Sequence, residues 1–448
     1  MMTLSRLPKI LAGLALLTVV ACPAHAADNS TATGLTLEDF FSAALNYSPR
    51  LRIAEERLNI GSARRRAANG RLLPQLAANA NVSENRRDAL NRIDEYPGQR
   101  YSLQLTQVLF NWQAFAARST AYFVEDQLEA EYFSELSVLL TDVAEKYFNV
   151  LQAEDALTSI GSELEAVTNQ LNLVQSYYDR QLAQITDLYD AQAALAAVEA
   201  EQLALQSEVD LARDALRSVS GLVSGDLFRL DDGLQIPPVE NSVNYWVEQA
   251  QTSSHAIRAR ESAMAAADKR IDESRGAYMP RVTFVVTKQN SELGFDNVLI
   301  PRTDTTYVGV DVSIPLYAGG SNKAGVSEAM SQFNIAENEL RQVELEVGER
   351  TRSAYLRARY NASRTEAARR LAESTALAAE AMQTGFELGT VNSVDVLNAL
   401  RDQFRAERDL QQARYEHVKS LLILKREAGV LAAEDLLDVS SWLVAPTE

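Results

Sequence analysis

The sequence predicts a mainly α fold with a small β part: a duplicated chain of long antiparallel helical hairpins carrying four short strands. Three observations predict it. The chain repeats itself at a nearly constant offset, two long stretches lack proline, and short period-two segments fall at the same place in each copy. For the repeat, Leu72-Leu73-Pro74-Gln75-Leu76 recurs as Tyr278-Met279-Pro280-Arg281-Val282, offset 206. Leu109-Phe110 recurs as Leu316-Tyr317, offset 207, and Thr186-Asp187-Leu188-Tyr189-Asp190-Ala191 recurs as Val394-Asp395-Val396-Leu397-Asn398-Ala399, offset 208.

In chain order, residues 1–26 read as a secretory signal peptide. Arg6 and Lys9 precede an apolar run from Ile10 to Ala21, and Ala24-His25-Ala26 is a small-x-small cleavage site. A competing reading takes Val19-Val20-Ala21-Cys22 as a lipobox, leaving Cys22 lipidated; with cleavage after Ala26 the mature chain holds no cysteine. The first repeat spans 27–221. A helix opens at Thr36 with Asp39 as capping-box partner and Leu35 and Phe40 as a staple, breaks at Ser48-Pro49, and stops before Pro74. Strands follow near 75–86 and 100–110, where Tyr101, Leu103 and Leu105 alternate with Ser102, Gln104 and Thr106. Residues 111–221 form a helical hairpin whose first arm runs to about Leu182 and whose second spans Asp187–Gly221; Ala, Leu, Glu, Gln and Arg dominate it. Residues 222–240, with Pro237-Pro238, read as a linker. The second repeat, 241–428, carries strands near 281–289 and 305–317, with Val308, Val310, Val312 and Ile314 in strict alternation, and a hairpin over 318–428; a tail occupies 429–448. The polar stretches Arg87–Gln99 and Asn290–Thr303 read as loops.

Charge and composition exclude several functions. The net charge is −18, and loss of Arg6 and Lys9 with the leader makes the mature chain two units more negative, which rules out binding to nucleic-acid phosphates. His255 and His417 stand apart from other metal-type ligands, and neither a glycine-rich phosphate loop nor a nucleophile elbow occurs, so no enzyme, metal or cofactor is expected. Glu199/Glu201 and Asp231/Asp232 read as solvated faces. Asp187 and Asp395 occupy corresponding places just after the helix–helix turns, where capping and the helix dipole favour a carboxylate.

Outside the leader no apolar run is long enough to span a bilayer as a helix, whereas strands of about ten residues are. Four strands cannot close a barrel and an open edge is not tolerated in lipid, so the chain must oligomerise; three copies give twelve strands. A soluble helical bundle or cytoskeletal coiled coil would fit the composition, but has no use for a hairpin of strands at the same place in each repeat.

The stretch from Ala381 through Met382-Gln383-Thr384-Gly385-Phe386-Glu387-Leu388-Gly389-Thr390, followed by Val394-Asp395-Val396-Leu397-Asn398-Ala399, resembles the tip of the second helical hairpin in the TolC-like outer-membrane efflux protein family. Ala413-Arg414-Tyr415, Leu421-Leu422-Ile423-Leu424-Lys425 and Ala428-Gly429 continue the likeness. So do Leu72-Leu73-Pro74-Gln75-Leu76 and Ile314-Pro315-Leu316-Tyr317-Ala318-Gly319-Gly320 at the strand–helix junctions.

The resemblance implies a homotrimer in the outer membrane with a long periplasmic extension: a twelve-stranded β-barrel, a trimeric α-barrel below it, and an equatorial domain built partly from linker and tail. It implies export of small molecules or proteins, for drug efflux or type I secretion, with a periplasmic adaptor and an inner-membrane RND or ABC transporter. It places an acidic ring at Asp395, and a second ring at Asn398, which is neutral here. Where relatives lock the entrance with Tyr and Arg, this chain has Phe386 and Val391, so polar links to Thr186 and Asp187 cannot form; Arg414 is left to pair with a neighbouring acid. The turns Leu182-Ala183-Gln184-Ile185 and Gly389-Thr390-Val391-Asn392-Ser393 are the expected adaptor-docking tips. The alternative is a non-channel periplasmic coiled-coil adaptor or scaffold. Such an adaptor sets its hairpin between halves of a lipoyl-like β domain, which the sequence lacks.

Overall fold

The computed structural model describes residues 34–89, 92–231, 233–292 and 302–445. The leader with Cys22, Asp232 and Pro301 therefore lie outside the described residues.

Helices α1 (Leu37–Tyr47) and α2 (Pro49–Gly70) form one rod broken at Ser48. Thr36 caps the first through a reciprocal box with Asp39, whose carboxylate accepts the Thr36 amide at 2.9 Å. Ser48 caps the second, with Pro49 in the first turn where its missing N–H costs nothing. Strands β1 (Gln75–Ala89) and β2 (Arg92–Asn111) follow, then α3 (Trp112–Asp179) and α4 (Ile185–Ser220). A two-residue strand, β3 (Arg229–Leu230), interrupts the linker. The second repeat gives α5 (Val243–Ser253), α6 (His255–Arg275), β4 (Arg281–Glu292), β5 (Thr303–Ser313), α7 (Ser321–Glu387) and α8 (Ser393–Glu427). The tail adds α9 (Ala433–Ser441) and β6 (Leu443–Val444), which pairs with β3.

The four long strands form one antiparallel sheet in the order β1-β2-β4-β5. Each continues into a helix, and the helices pack in the same order, α2-α3-α6-α7. The result is a single-layer wall, strands above and helices below, with β1 and α2 at one edge and β5 and α7 at the other. Below the equator the layer becomes α4-α3-α8-α7.

The sheet register puts the alternation of all four strands in phase. Leu76, Leu105, Val286 and Val308 share one row, and Ala78, Leu103, Lys288 and Thr306 the next, while Gln104, Thr287 and Tyr307 face the other way. One face is therefore apolar: Leu76, Val82, Leu103, Val308, Val310 and Val312 are exposed on it. Along β5 and one residue past its end this band, Val308 to Ile314, is about 20 Å tall at ~3.4 Å per residue. Beyond it the face turns polar at the Lys288–Asp304 ion pair, 3.1 Å.

The strands differ from the sequence expectation at their ends. Within Arg87–Gln99, read as a loop, residues 87–89 and 92–99 are strand: β1 and β2 pair as far as Ala89↔Arg92. Pairing across a hairpin needs no apolar face, and Pro97 is tolerated because β2 pairs with β4 only from Gln99 onward, leaving one side of the ladder free there among the described residues. In the same way Asn290–Glu292 extend β4. Conversely β5 ends at Ser313, not near 317, because Pro315 cannot donate to the ladder.

The main core lies at the equator, where linker and tail wrap the helices. Leu37 and Phe40 of α1 pack with Val143, Tyr147, Phe148 and Leu151 of α3, Tyr415 and Leu422 of α8, and Leu436 and Leu443 of the tail. Tyr147 donates to the Phe228 carbonyl at 2.8 Å, pinning the linker to the wall, and Tyr415 of α8 donates to Asp155 Oδ2 of α3 at 2.5 Å, tying two wall helices together.

Candidate functional site

The two helix–helix turns are built alike. In the first, Leu182 N–H reaches back to the Tyr177 carbonyl at 2.8 Å; in the second, Thr390 N–H reaches the Gly385 carbonyl at 2.9 Å, 208 residues later. Each passes through the left-handed region, at Gln181 (φ 64°) and at Gly389 (φ 73°). Glycine adopts this conformation freely, whereas Gln181 bears a Cβ penalty. Leu182, Ala183 and Gln184 form the first turn and Ile185 opens α4. Gly389, Thr390, Val391 and Asn392 form the second and Ser393 opens α8.

The corresponding acids are in different states. Asp187 is half-buried and its Oδ2 accepts the Gln184 amide at 3.1 Å, as a capping group; Thr186 Oγ1 donates to Gln184 Oε1 at 3.4 Å. For α8 the cap is Asn392, whose Oδ1 accepts the Asp395 amide at 2.8 Å. The Asp395 carboxylate is thus released from capping, and it is exposed with no ion pair or hydrogen bond among the described residues. Asn398 lies one turn on along the same face and its Oδ1 accepts from Arg401 at 3.0 Å.

Phe386 stacks on Tyr177 of α3, ring centroids 5.7 Å apart and planes at 26°. Gln170 Nε2 donates to Ser393 Oγ at 3.4 Å, both residues buried. Phe386 and Val391 also pack on the cluster of Ala379, Val396, Leu400 and Phe404. An apolar clasp therefore joins the hairpins where a polar lock is absent. Beside it lies a cleft of about 410 Å³ lined by Val174, Leu182, Asp187, Leu388 and Asn392 among others.

Two sequence expectations need correction. Arg414 does not sit at the tips with Thr186, Asp187, Phe386 and Val391: it follows Asp395 by nineteen residues of unbroken helix, about 28 Å at 1.5 Å per residue. It is buried at the equator, donating to Gln411 Oε1 at 2.9 Å and to the Asp231 carbonyl. Glu201 is not merely solvated. Arg408 of α8 meets it at 3.5 Å and meets Glu163 of α3 at 2.7 Å, so one guanidinium clamps three helices. Glu163 and Arg408 are 245 residues apart, and no local pattern signals the pair.

Among the described residues no group of His, Cys, Asp and Glu is placed to hold a metal. His255 stacks on Phe133, and burial lowers its pKa, as it does for His417. No described helix is long and apolar enough to cross a membrane.

The family model described as outer membrane efflux protein matches residues 40–222 and 246–430, one match per repeat. The chain is 27% identical to the outer membrane protein TolC of Vibrio cholerae over 83% of its own length and 85% of that protein's. It is 25% identical to the alkaline protease secretion protein AprF of Pseudomonas aeruginosa, covering 92% and 88%. In fold it is similar to the CmeC outer membrane channel of Campylobacter jejuni, at a TM-score of 0.77 and 14% identity over 97% of each chain. It is similar too to the open state of the Neisseria gonorrhoeae MtrE outer membrane channel, at 0.74 and 19% over 88% and 89%.

Proposed function

The chain belongs to the outer membrane efflux protein family, a family of channels and not enzymes, and from that premise we propose that three copies close into one export duct. The observation that supports this is the single-layer wall. Its strands and helices run in the same order, one sheet face is apolar, and both edges are open. An open edge in hydrocarbon leaves backbone groups unsatisfied, and joining β5 of one copy to β1 of the next removes every edge. Three copies then make a twelve-stranded barrel above a helical one. The free faces suit the same closure, since α7 exposes Leu345, Leu356, Tyr360 and Leu377 while α4 at the opposite edge exposes Tyr189, Leu203 and Leu211.

In this reading residues 1–26 are the leader, 27–221 and 241–428 the two repeats, and 222–240 with 429–448 the equatorial belt. Asp395 forms the acidic ring at the periplasmic entrance, Asn398 a neutral one, and the tip turns receive a periplasmic adaptor. An inner-membrane RND or ABC transporter supplies the energy, and the cargo is a small molecule or a protein. Mass measurement in mild detergent tests the assembly, with about three times the mature mass expected; a stable monomer removes the barrel. For the docking tips, Leu182→Arg is the clean probe, because Leu182 is exposed whereas Ser393 is buried. It should abolish export while trimers still reach the outer membrane.

A further inference from the structure

Directly below the sheet, the charge of the chain inverts. Residues 62–74, 112–122, 265–280 and 314–326 are the four strand–helix junctions, one per helix of the layer. They contain nine basic residues and three acidic ones, in a chain whose net charge is −18. The basic residues are Arg64, Arg65, Arg66 and Arg71 on and after α2, Arg118 on α3, Lys269, Arg270 and Arg275 on α6, and Lys323 on α7. All lie within about 18 Å of the strand ends, taking 1.5 Å per residue. Only Arg65, Lys269 and Arg275 meet carboxylates, those of Glu125, Asp268 and Asp272. Of the other six, Arg71 and Arg270 act on the Glu273 carboxylate from a distance, and none of the six forms a close ion pair among the described residues.

The geometry of α2 fixes where some of this charge points. Gly61 packs against Leu128, and Arg65, one turn on, pairs with Glu125, so this side of α2 faces α3 within the layer. Arg64 and Arg66 lie about 100° to either side of Arg65. In a wall one helix thick, one of them is on the outer surface and the other on the lumen surface. Both are exposed, as is Arg71. The same band displays large amphipathic and apolar side chains: Trp112, Phe115, Tyr278 and Met279 are exposed, and Leu316 and Tyr317 are 92% and 89% so. Aromatic rings with arginines beside an apolar band are the composition of a membrane–water interface, where a phosphate layer meets the hydrocarbon.

We infer that this band is a basic collar that binds the anionic headgroups of phospholipids in the leaflet facing the helices. The inference rests on the membrane placement of the sheet proposed above. The collar fixes the depth at which the barrel sits: the apolar face ends at the junction, and the arginines hold the phosphates there. It also offsets the repulsion between a strongly acidic chain and an anionic leaflet. Binding of this kind is electrostatic, so it weakens with salt.

Trp112 lies inside the collar and serves as the reporter. Trp246, at the far end of the upper helices against α7, and Trp442, in the tail, lie too far from the junctions for acyl-chain quenchers to reach. The assembled full chain is reconstituted in phosphatidylcholine containing either brominated phosphatidylglycerol or brominated phosphatidylcholine, and tryptophan quenching is compared. The expected result at low salt is an anionic-over-zwitterionic preference of about threefold or more, falling toward one at molar salt. Arg64→Gln, Arg66→Gln and Arg71→Gln together should remove most of it. Equal quenching by both lipids in the unmodified protein overturns the collar and leaves the membrane placement standing. Quenching by neither overturns the placement itself. A preference that survives both molar salt and the triple substitution also overturns the collar.

Discussion

Replacing Arg408 tests whether the two hairpins are held together by buried charge. The Glu163 side chain is 3% exposed and that of Arg408 is 16%, and they meet at 2.7 Å across the α3–α8 boundary. Arg408→Met keeps the packing volume but strands the Glu163 carboxylate. Breaking such a pair from one side costs about 3–5 kcal/mol, because desolvation of the remaining charge is no longer offset. Glu163→Gln keeps a hydrogen-bond acceptor and should cost less, about 1–3 kcal/mol. The double variant Arg408→Met with Glu163→Met leaves no charge to bury and should be milder than Arg408→Met alone. Amide hydrogen exchange of the trimer in detergent reads this locally. At 1.4 kcal/mol per tenfold, amides around Glu163 and Arg408 should exchange roughly a hundredfold or more faster in Arg408→Met. The pair lies about 20 Å above the tip, thirteen residues along α8 from Asp395, so resting conductance should rise as well. An acceleration below tenfold, or a double variant worse than either single one, refutes the argument that buried charge joins the hairpins.

Asp395→Asn should lower cation selectivity and multivalent-cation block in planar bilayers without changing trimer yield, and Asn398→Asp should raise both; indifference to both would move the constriction elsewhere. Phe386→Ala removes a ring stack worth about 0.5–1.5 kcal/mol beyond its buried area and should raise resting conductance, whereas Phe386→Tyr with Val391→Arg should lower it. Tyr122 accepts hydrogen bonds from Arg118, Asn69 and Arg65, which pull its phenol down to about 8. An ultraviolet titration should therefore show an early phenol, moving back toward 10 in Arg118→Gln. Because the folded value is the lower one, Tyr122 adds stability as pH climbs from about 8 through 10, and that contribution is absent below 8; no absorbance change before pH 9 would contradict it. Gln181→Gly should stabilise the first hairpin by up to about 1 kcal/mol in thermal melts, by relieving the left-handed Cβ contact.

The duplication was legible because its punctuation is chemical and local. Pro74 and Pro280 each stand just before a strand, and the stretches 186–191 and 394–399 keep their offset of 208; the structure adds matching helix breaks at Ser48 and Ser254 and left-handed turns at Gln181 and Gly389. The alternation of β2 and β5 was legible too, whereas its common phase with β1 and β4 follows from the register. Strand ends beyond the apolar band were not, because a hairpin pairs polar residues such as Asn85 with Tyr96 as readily as apolar ones. At the candidate site, the difference between Asp187 and Asp395 depends on which residue caps each helix, Asp187 itself or Asn392, and this appears only in three dimensions. The clamp of Arg408 on Glu163 and Glu201 depends on which helices become neighbours. Arg414 is the reverse case: nineteen residues of helix is a ruler, and the sequence alone carries its separation from the tips.

The four junctions beneath the sheet are not equally stiff. Strand β2 runs straight into α3, with Asn111 serving as both last strand residue and helix cap through a 3.3 Å bond to the Ala114 amide. Between β5 and α7 lie seven residues outside regular structure, 314–320, ending in Gly319 and Gly320 at φ 60° and 87°. The first junction transmits torque and the second absorbs it. The hairpin of α3 and α4 is thus hung on the sheet as a fixed post, and that of α7 and α8 as an arm on a compliant joint. A twist applied at the far end of the wall is then taken up mainly by the second hairpin swinging about the first, while the four-stranded sheet keeps its shape.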